Sequence, residues 1–457
     1  MKRFWLVLLS LGLIVAFSTS AMAVDVKFSG EYYAAGMYLD KTSLKDGTAT
    51  DGPSTAFYFQ RLRLNTQFVV SPGLTLTTRA DVMERGWGAN RTAPGTVLDT
   101  WSAGTRDENE NIAFDLLYVT YVSPIGMFTA GYQISDCWGT IFGNSSHPRG
   151  KITYLFKTGG LMLGLQTGKD VELSRSVNNP AGDADKDQSF HIAYGVYRWK
   201  TGEAGFLWKY IKNNQNRNAF NTPLTPDAGV TWDGLVTTPY VKAKLGPVAL
   251  EAQIYYLYGK QSWEGNTALL GNPPDVDLNQ LSAYIDATVD LGMFYFGGSL
   301  AYLSGDDPST ADEQEGGVLS GGEDWNPCLI MFNNDLNYWA GKQFGYNGTY
   351  NGADPDKGAM SNAYFAQLRV GVRPIDKLDI MASVSYATAD KTPQDVWDSR
   401  EYGYEIDLIG TYKITNNLSY MLGGGYWIVG DYYKGTAANG QDVDDNYMIL
   451  NKLTLTF

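Results

Sequence analysis

Histidine and cysteine are scarce in this chain, since each occurs only twice in 457 residues. His147 and His191 are too few to build a zinc or haem-attachment motif. Ser145 and Ser146 precede His147, but adjacency in a loop does not establish the hydrogen-bonded pair that a serine hydrolase needs. We therefore predict no cofactor, no metal site and no enzymatic activity.

Long hydrophobic runs are missing beyond the first residues. The basic pair Lys2-Arg3 is followed by an apolar run at residues 4–17 and then by Ala21-Met22-Ala23. A positive start, a short apolar run and an A-x-A site are the three parts of a secretory signal peptide. A membrane anchor is the alternative, but the run is shorter than the ~20 residues of a spanning helix. We predict a signal peptide at residues 1–23 and a mature chain of residues 24–457.

Positive charge is also in deficit, with 35 Lys and Arg against 49 Asp and Glu. Binding to nucleic-acid phosphates needs clustered basic residues, so nucleic acid is excluded as a partner. Aromatic residues, in contrast, make up 14% of the chain, including 31 Tyr. Membrane β-barrels use Tyr and Trp as girdles at both lipid–water interfaces. Composition alone also fits a secreted β-sandwich.

Alternation with period two is the dominant pattern and indicates β-strands. The clearest strand covers residues 56–70. One of its phases is Ala56, Tyr58, Gln60, Leu62, Leu64, Thr66, Phe68 and Val70, and the other is Phe57, Phe59, Arg61, Arg63, Asn65 and Gln67. Residues 74–83 repeat the pattern, with Arg79 and Asp81 on the polar phase. One face of each strand is thus suited to lipid and the other to water.

Short turns alternate with long polar loops along the chain. The turns begin at Ser71, Ser123, Lys157, Lys200, Lys244, Asp290, Arg373 and Thr415. The loops lie near residues 40–55, 86–111, 138–149, 168–188, 212–231, 260–279, 304–361, 388–400 and 431–444. Eight turns and nine loops give about 18 strands, with 16 as the alternative, and residues 304–361 could hide another hairpin.

This alternation predicts an all-β fold, a transmembrane antiparallel up-and-down β-barrel with short periplasmic turns and long extracellular loops. The sheet must close, because an open edge would leave unpaired backbone groups in hydrocarbon. In the last strand Tyr447, Ile449, Asn451, Leu453, Leu455 and Phe457 share one phase. These side chains are expected to face lipid, and only Asn451 does not fit the apolar pattern.

Three segments resemble Gram-negative outer-membrane porins: Phe59-Gln60-Arg61-Leu62-Arg63-Leu64-Asn65, Leu117-Tyr118-Val119-Thr120-Tyr121 and the turn Ser123-Pro124-Ile125-Gly126. The terminal Phe457 resembles the signature that the barrel-assembly machinery reads. The resemblance implies an outer-membrane location among lipid and lipopolysaccharide, and it leaves a homotrimer open. In general porins one loop folds into the pore. Residues 138–149 occupy the matching position, and residues 304–361 are a rival for that role.

Charged residues on the polar phase are the predicted pore lining, since Arg or Lys facing lipid at mid-membrane costs roughly 2–4 kcal/mol. They are Arg61, Arg63, Arg79, Asp81, Lys242, Glu251, Asp286, Arg369, Glu405 and Asp407. Because Arg61, Arg63 and Arg79 are three like charges on neighbouring strands, we expect them to need a counter-charge or a solute. Part of the set is expected only to pair and stiffen the wall.

The leading functional hypothesis is a passive diffusion channel, a porin for small hydrophilic or charged solutes and ions. The alternative is a barrel sheath or adhesin that binds a periplasmic or surface partner. Cys137 and Cys328 both fall in predicted outer loops, and an isolated cysteine pair in an oxidising compartment can form a disulfide.

Overall fold

The computed structural model describes residues 24–47, 52–88, 112–173, 185–317, 319, 321–352, 359–393, 397, 399–436 and 441–457. The predicted signal peptide, residues 1–23, lies outside these residues, as do parts of the predicted long loops.

Nineteen strands, one short α-helix and two 3-10 helices, Ala268–Leu270 and Asp431–Lys434, make up the regular structure of the described residues. The strands are β1 Asp25–Leu39, β2 Thr55–Ser71, β3 Leu74–Gly86, β4 Ile112–Ser123, β5 Gly126–Ser135, β6 His147–Thr158, β7 Leu161–Val171, β8 Gln188–Trp199, β9 Gly202–Asn213, β10 Gly229–Leu245, β11 Val248–Glu264, β12 Val276–Asp290, β13 Phe294–Leu303, β14 Glu313–Gln314, β15 Ala363–Ile375, β16 Leu378–Ala389, β17 Glu401–Lys413, β18 Leu418–Val429 and β19 Asn446–Thr456. The helix α1 is Asn334–Ala340.

Every strand except β14 pairs antiparallel with its neighbours in the barrel, and β13 pairs directly with β15. The sheet closes because β1 pairs with β19 from Glu31–Thr456 to Leu39–Met448. Phe457 completes this seam by exchanging backbone hydrogen bonds with Gly30, at 3.0 and 2.8 Å. The barrel therefore has eighteen strands, as the turn count predicted, and the alternative of sixteen is wrong.

No helix among the described residues is long and apolar enough to cross a membrane.

The outer surface of the barrel is an apolar belt. Its exposed residues include Leu163, Leu165, Leu300, Leu368, Ile406, Leu408, Leu422 and Ile449. Aromatic pairs lie near both ends of the strands, with ring centroids 4.8 Å apart in Tyr302–Tyr364 and 4.9 Å apart in Phe128–Tyr154. An apolar band between two aromatic rims is the surface that a bilayer covers.

Asn451 is the polar residue of β19 that faces outward, and the structure shows how it is accommodated. Its Nδ2 donates a hydrogen bond to the Gly36 carbonyl oxygen at 3.2 Å. A Cβ atom at Gly36 would lie 2.9 Å from that nitrogen and 2.5 Å from the Tyr58 ring. Glycine at this position therefore allows Asn451 to satisfy an amide hydrogen within the wall instead of exposing it to lipid.

The largest apolar core lies inside the barrel. Residues 304–362, between β13 and β15, are here called the insertion, and the part of it that the structure describes folds inward. Ile330, Met331 and Phe332 of the insertion are fully buried in a core formed with inner-face residues of β1, β2, β12, β13 and β15–β19. Burial of such a side chain stabilises by about 1.5–3 kcal/mol. No additional hairpin forms in the described part of this segment, which contains β14, parallel to β12, and α1.

A second segment, residues 136–146 or the inward loop, also enters the barrel, between β5 and β6. Trp138 Nε1 donates to the Thr238 carbonyl oxygen on β10 at 3.0 Å, and Thr140 N donates to Gln253 Oε1 on β11 at 2.7 Å. The Phe142 ring stacks on Tyr284 of β12 at 5.0 Å. Both loops that the sequence offered as rivals for the inward position therefore fold into the barrel.

Candidate functional site

Three arginine–carboxylate pairs line the inner wall of β2–β4. Arg63 makes two bonds to Asp81, at 2.8 and 2.7 Å. Arg61 bonds to Glu84 at 3.2 Å, and Arg79 bonds to Asp115. The Arg63 and Arg61 side chains remain 29% and 22% exposed, so the wall still meets the open lumen. The expected counter-charges of the arginine cluster are thus supplied by the barrel itself.

Two irregularities of the sheet create these pairs. The β2–β3 register shifts between Gln60 and Leu62, and Met83 has a φ of +52°. Strict alternation would have placed Met83 inward, but the bulge turns Glu84 toward Arg61 instead. The β3–β4 register shifts after Arg79, where Asp115 is the extra residue. Bulges commonly redirect a side chain in this way.

The helix α1 of the insertion lies against this wall and narrows the lumen there. Trp339 stacks on Phe59 of β2 with ring centroids 4.2 Å apart, and Tyr338 hydrogen-bonds Glu84. Burial raises the pKa of Asp335 on the same helix, although the charges of Lys452 and Arg61 oppose the rise. Carboxyl, phenol and guanidinium groups therefore meet where α1 packs against this wall.

A second charged row lies at the short-turn end, on β10, β11, β12 and β15. Lys242 is opposite Glu251, which is opposite Asp286 in the sheet. Arg369 donates to Asp286 at 2.5 Å and to Ser299 at 2.6 Å. Lys242, Glu251 and Asp286 line a cavity of about 720 Å³. Four predicted lining residues thus form one continuous polar strip.

Glu405 and Asp407 of β17 also point inward, but the insertion covers them. They are 0% and 2% exposed. Both oxygens of Glu405 accept backbone hydrogen bonds, from Ile330 N at 2.7 Å and Met331 N at 2.6 Å. These two residues therefore anchor the insertion and do not border open lumen in this structure.

The expected disulfide is not formed. Cys137 and Cys328 are both free thiols; Cys137 is exposed and Cys328 is buried. Cys137 Sγ lies 3.3 Å from Ser146 Oγ within the inward loop. Cys328 belongs to the apolar core of the insertion, where burial raises the pKa of its thiol. The disulfide that the sequence left possible is therefore absent between these two residues, because the inward folding of the two segments gives each thiol its own surroundings.

Asp136 connects the inward loop to the barrel wall. Its carboxylate lies 2.8 Å from Lys209 Nζ, 3.6 Å from His147 Nδ1 and 3.9 Å from Arg149 Nε. Burial alone would raise the pKa of Asp136, but the bonds and charges of these three neighbours outweigh it and hold the pKa well below its ordinary value. His147 Nε2 also contacts Glu323 of the insertion at 3.0 Å, so the two inward segments are joined to each other.

Two solved structures are similar to the structure of this chain. The crystal structure of Pseudomonas aeruginosa OccK9 (OpdG) has 13% sequence identity and a TM-score of 0.52, over 94% of this chain and 99% of that chain. A BenF-like porin from Pseudomonas fluorescens Pf-5 has 10% identity and a TM-score of 0.50, over the same shares of the two chains. This chain has the porin fold. No protein-family model and no curated protein matches its sequence.

Sequence reasoning missed several residues of this porin-fold lumen. Glu84 and Asp115 were not predicted to line the lumen, because bulges interrupt the alternation from which inward-facing residues were predicted. Tyr338 and Asp335 were not predicted because their positions depend on the path of the insertion. Asp136 could have been noticed as an acidic residue directly after an inward-facing strand end, but its partner Lys209 is 73 residues away.

Proposed function

We propose that this chain is an outer-membrane porin, a passive diffusion channel for small hydrophilic or charged solutes. The observation that carries the proposal is the wall of β2–β4, where Arg61 and Arg63 remain partly exposed although α1 of the insertion packs against this wall. Rings and rows of charge at a narrow point set which ions and dipolar solutes pass.

Two further features support conduction over a sheath or adhesin. The cavity of about 720 Å³ at the short-turn end has six charged side chains among its eleven lining residues, and these charges suit water and polar solutes. The insertion covers Glu405 and Asp407 of the β17 wall almost completely but leaves Arg61 and Arg63 partly exposed. A sheath that encloses a partner would need an unoccupied lumen, whereas this one is already narrowed by two segments of its own chain.

The test is conductance of the purified, folded chain in a planar lipid bilayer. We expect discrete current steps that are smaller than those of a barrel of this size without inward segments, because the insertion and the inward loop reduce the open cross-section. Reversal potentials in a salt gradient would give the ion preference. Folded protein that inserts into the bilayer without producing current steps would overturn the proposal.

The cellular context completes the proposal. Residues 1–23 act as a signal peptide and residues 24–457 form the barrel domain. Lipid and lipopolysaccharide cover the apolar belt, and the barrel-assembly machinery recognises the strand that ends at Phe457. The homotrimer remains a prediction from resemblance to porins, for which cross-linking in outer-membrane fractions is the measurement.

A further inference from the structure

A cavity of about 510 Å³ lies at the long-loop end of the barrel, between the insertion and the loops that follow β16 and β18. Gly305 and Asn362, next to the ends of β13 and β15, line it from the insertion, and Trp397 and Tyr432 line it from the two loops. None of its lining residues belongs to the arginine wall or to the charged row at the short-turn end. The cavity is therefore a separate feature of the outer mouth.

Three aromatic side chains give this cavity flat apolar surfaces: Tyr350, Trp397 and Tyr432. The rings of Trp397 and Tyr432 have centroids 5.9 Å apart and are tilted by 45°. Trp397 Nε1 donates a hydrogen bond to the Tyr432 carbonyl oxygen at 2.9 Å, which fixes the orientation of the indole. Aromatic rings held in this way offer contact area to a ligand at little cost in conformational entropy.

Polar groups with unused hydrogen-bonding capacity lie beside these rings. Ser361 is only 5% exposed, yet its hydroxyl has no hydrogen-bond partner among the described residues. The side-chain amide of Gln314 is likewise unpaired in the part of the chain that the structure describes. Asn347 donates its amide to the Lys434 carbonyl oxygen at 3.4 Å and to Thr436 Oγ1 at 3.1 Å. An unpaired buried hydroxyl is unfavourable, so a ligand that donates and accepts hydrogen bonds would stabilise this lining.

The lining favours an uncharged ligand. Among its described residues only Asp306 carries a formal charge, and Asp306 Oδ1 already accepts the backbone N–H of Glu315 at 3.0 Å. The lysines beside the lining have partners: Lys391 bonds to Asp307 at 2.6 Å, Lys434 bonds to Asp442 at 2.8 Å, and Lys342 lies over the Tyr350 ring at 5.7 Å. An anion would therefore have to compete with these partners, and a cation would have to share Asp306 with a backbone N–H.

We propose that this cavity binds a neutral sugar ring, either free or at the end of a glycan chain. The flat C–H face of the sugar lies on Trp397, and its hydroxyls hydrogen-bond to Ser361, Gln314 and Asn347. Each hydroxyl both donates and accepts, so a single ligand matches serine and amide groups alike. Apolar rings combined with a few placed polar groups are typical of a small-molecule site. Binding here is an equilibrium property of the outer mouth and requires no conduction through the barrel.

Saturation-transfer difference NMR of the folded chain in a polyoxyethylene detergent, which contains no sugar, tests the proposal. The probes are free glucose, galactose and mannose, and the linear hexasaccharides of the same three sugars. We expect saturation transfer to the ring C–H protons of at least one probe. Transfer to a free sugar assigns a free ligand, and transfer to hexasaccharides alone assigns a glycan end. No transfer to any probe, or displacement of the bound sugar by choline or benzoate, would overturn the proposal.

Variants locate the site. Ser361→Ala removes the unpaired hydroxyl and should weaken sugar binding by about two- to tenfold, as the loss of one hydrogen bond does. Trp397→Ala should weaken it by about tenfold or more, whereas Trp397→Phe, which keeps a flat ring, should stay within about threefold of wild type. Trp87→Ala removes an exposed tryptophan beyond the end of β3 and should leave binding unchanged.

The variants also decide the assignment. If Trp397→Ala does not fold, Ser361→Ala still tests the site, because it removes a single oxygen atom. Wild-type affinity in Ser361→Ala and Trp397→Ala, or an equal loss in Trp87→Ala, would contradict the assignment. Retained sugar binding in a barrel that gives no current would separate this proposal from the channel proposal.

Discussion

The inner walls of β2–β4 and of β17 both carry charged side chains that point into the barrel. The two walls differ in the groups that bind these side chains. On β2–β4 each arginine has a carboxylate partner, and the side chains of Arg61 and Arg63 remain partly exposed. On β17 Glu405 has no cation within 4.0 Å among the described residues and instead accepts two backbone N–H groups of the insertion. Inward orientation alone therefore does not make a residue pore-lining; the path of the insertion decides.

Glu405→Ala is expected to have the largest effect, because it removes the contact that holds the insertion to the β17 wall. The change leaves the N–H groups of Ile330 and Met331 buried without an acceptor, which costs about 1–3 kcal/mol each. We expect a less stable insertion, seen as larger open-channel current fluctuations and a lower urea midpoint for unfolding. Glu401→Ala, at the rim of the same strand, is the matched control. Current fluctuations and a midpoint equal to those of wild type would show that Glu405 does not anchor the insertion.

Asp136→Asn is expected to have the next largest effect, through the inward loop. Its pKa in the folded state lies below the unfolded value, so its stabilisation is complete above the unfolded pKa, near 4, and is lost as the pH falls through the folded pKa. Loss of the negative charge beside Lys209 and Arg149 should lower stability by about 1–3 kcal/mol at pH 7. The difference between wild type and variant should persist from pH 7 to about 4 and shrink below it. Urea midpoints across this range measure it, and a difference that grows on acidification would refute the sign.

Asp81→Asn tests whether the arginine wall of β2–β4 sets the ion selectivity of the channel. Removing the carboxylate leaves Arg63 as a net positive charge beside the lumen. We expect the permeability ratio to shift toward anions by about two- to fivefold, measured as the reversal potential in a salt gradient. The double variant Arg63→Gln, Asp81→Asn restores neutrality and should return the ratio to near its wild-type value. An unchanged ratio in the single variant would place the conduction path elsewhere.

The smallest effect is expected at the outer rim, where Lys391 bonds to Asp307 at 2.6 Å. The bonds from Lys391 and Ser309 hold the pKa of Asp307 well below its ordinary range, yet both partners are accessible to water. Exposed ion pairs contribute little because water screens them. Asp307→Asn should leave the urea midpoint unchanged within error. A shift as large as that of Asp136→Asn would mean that the rim, too, holds the insertion in place.

The local pattern of the amino-acid sequence was enough to predict the barrel, its strand number and the orientation of its regular strands. Strand number and the inward or outward phase of Arg61, Arg63, Lys242 and Leu455 follow from period-two alternation and turn residues, which are local properties of the chain. A charge on the lipid face is so unfavourable that the phase has one solution. These predictions held wherever the strands are regular.

The folding of the insertion and the inward loop into the barrel depends on tertiary contacts that the local sequence pattern does not show. The bulges that bring Glu84 and Asp115 to their arginines depend on how two strands align, and not on the pattern within either one. Pairs such as Asp136 with Lys209, or Ile330 with Glu405, join residues more than seventy positions apart. The same holds for the two cysteines, whose separate surroundings follow from the folding of two loops into the lumen. Burial of apolar surface inside the barrel drives that folding, and no local pattern in the sequence records it.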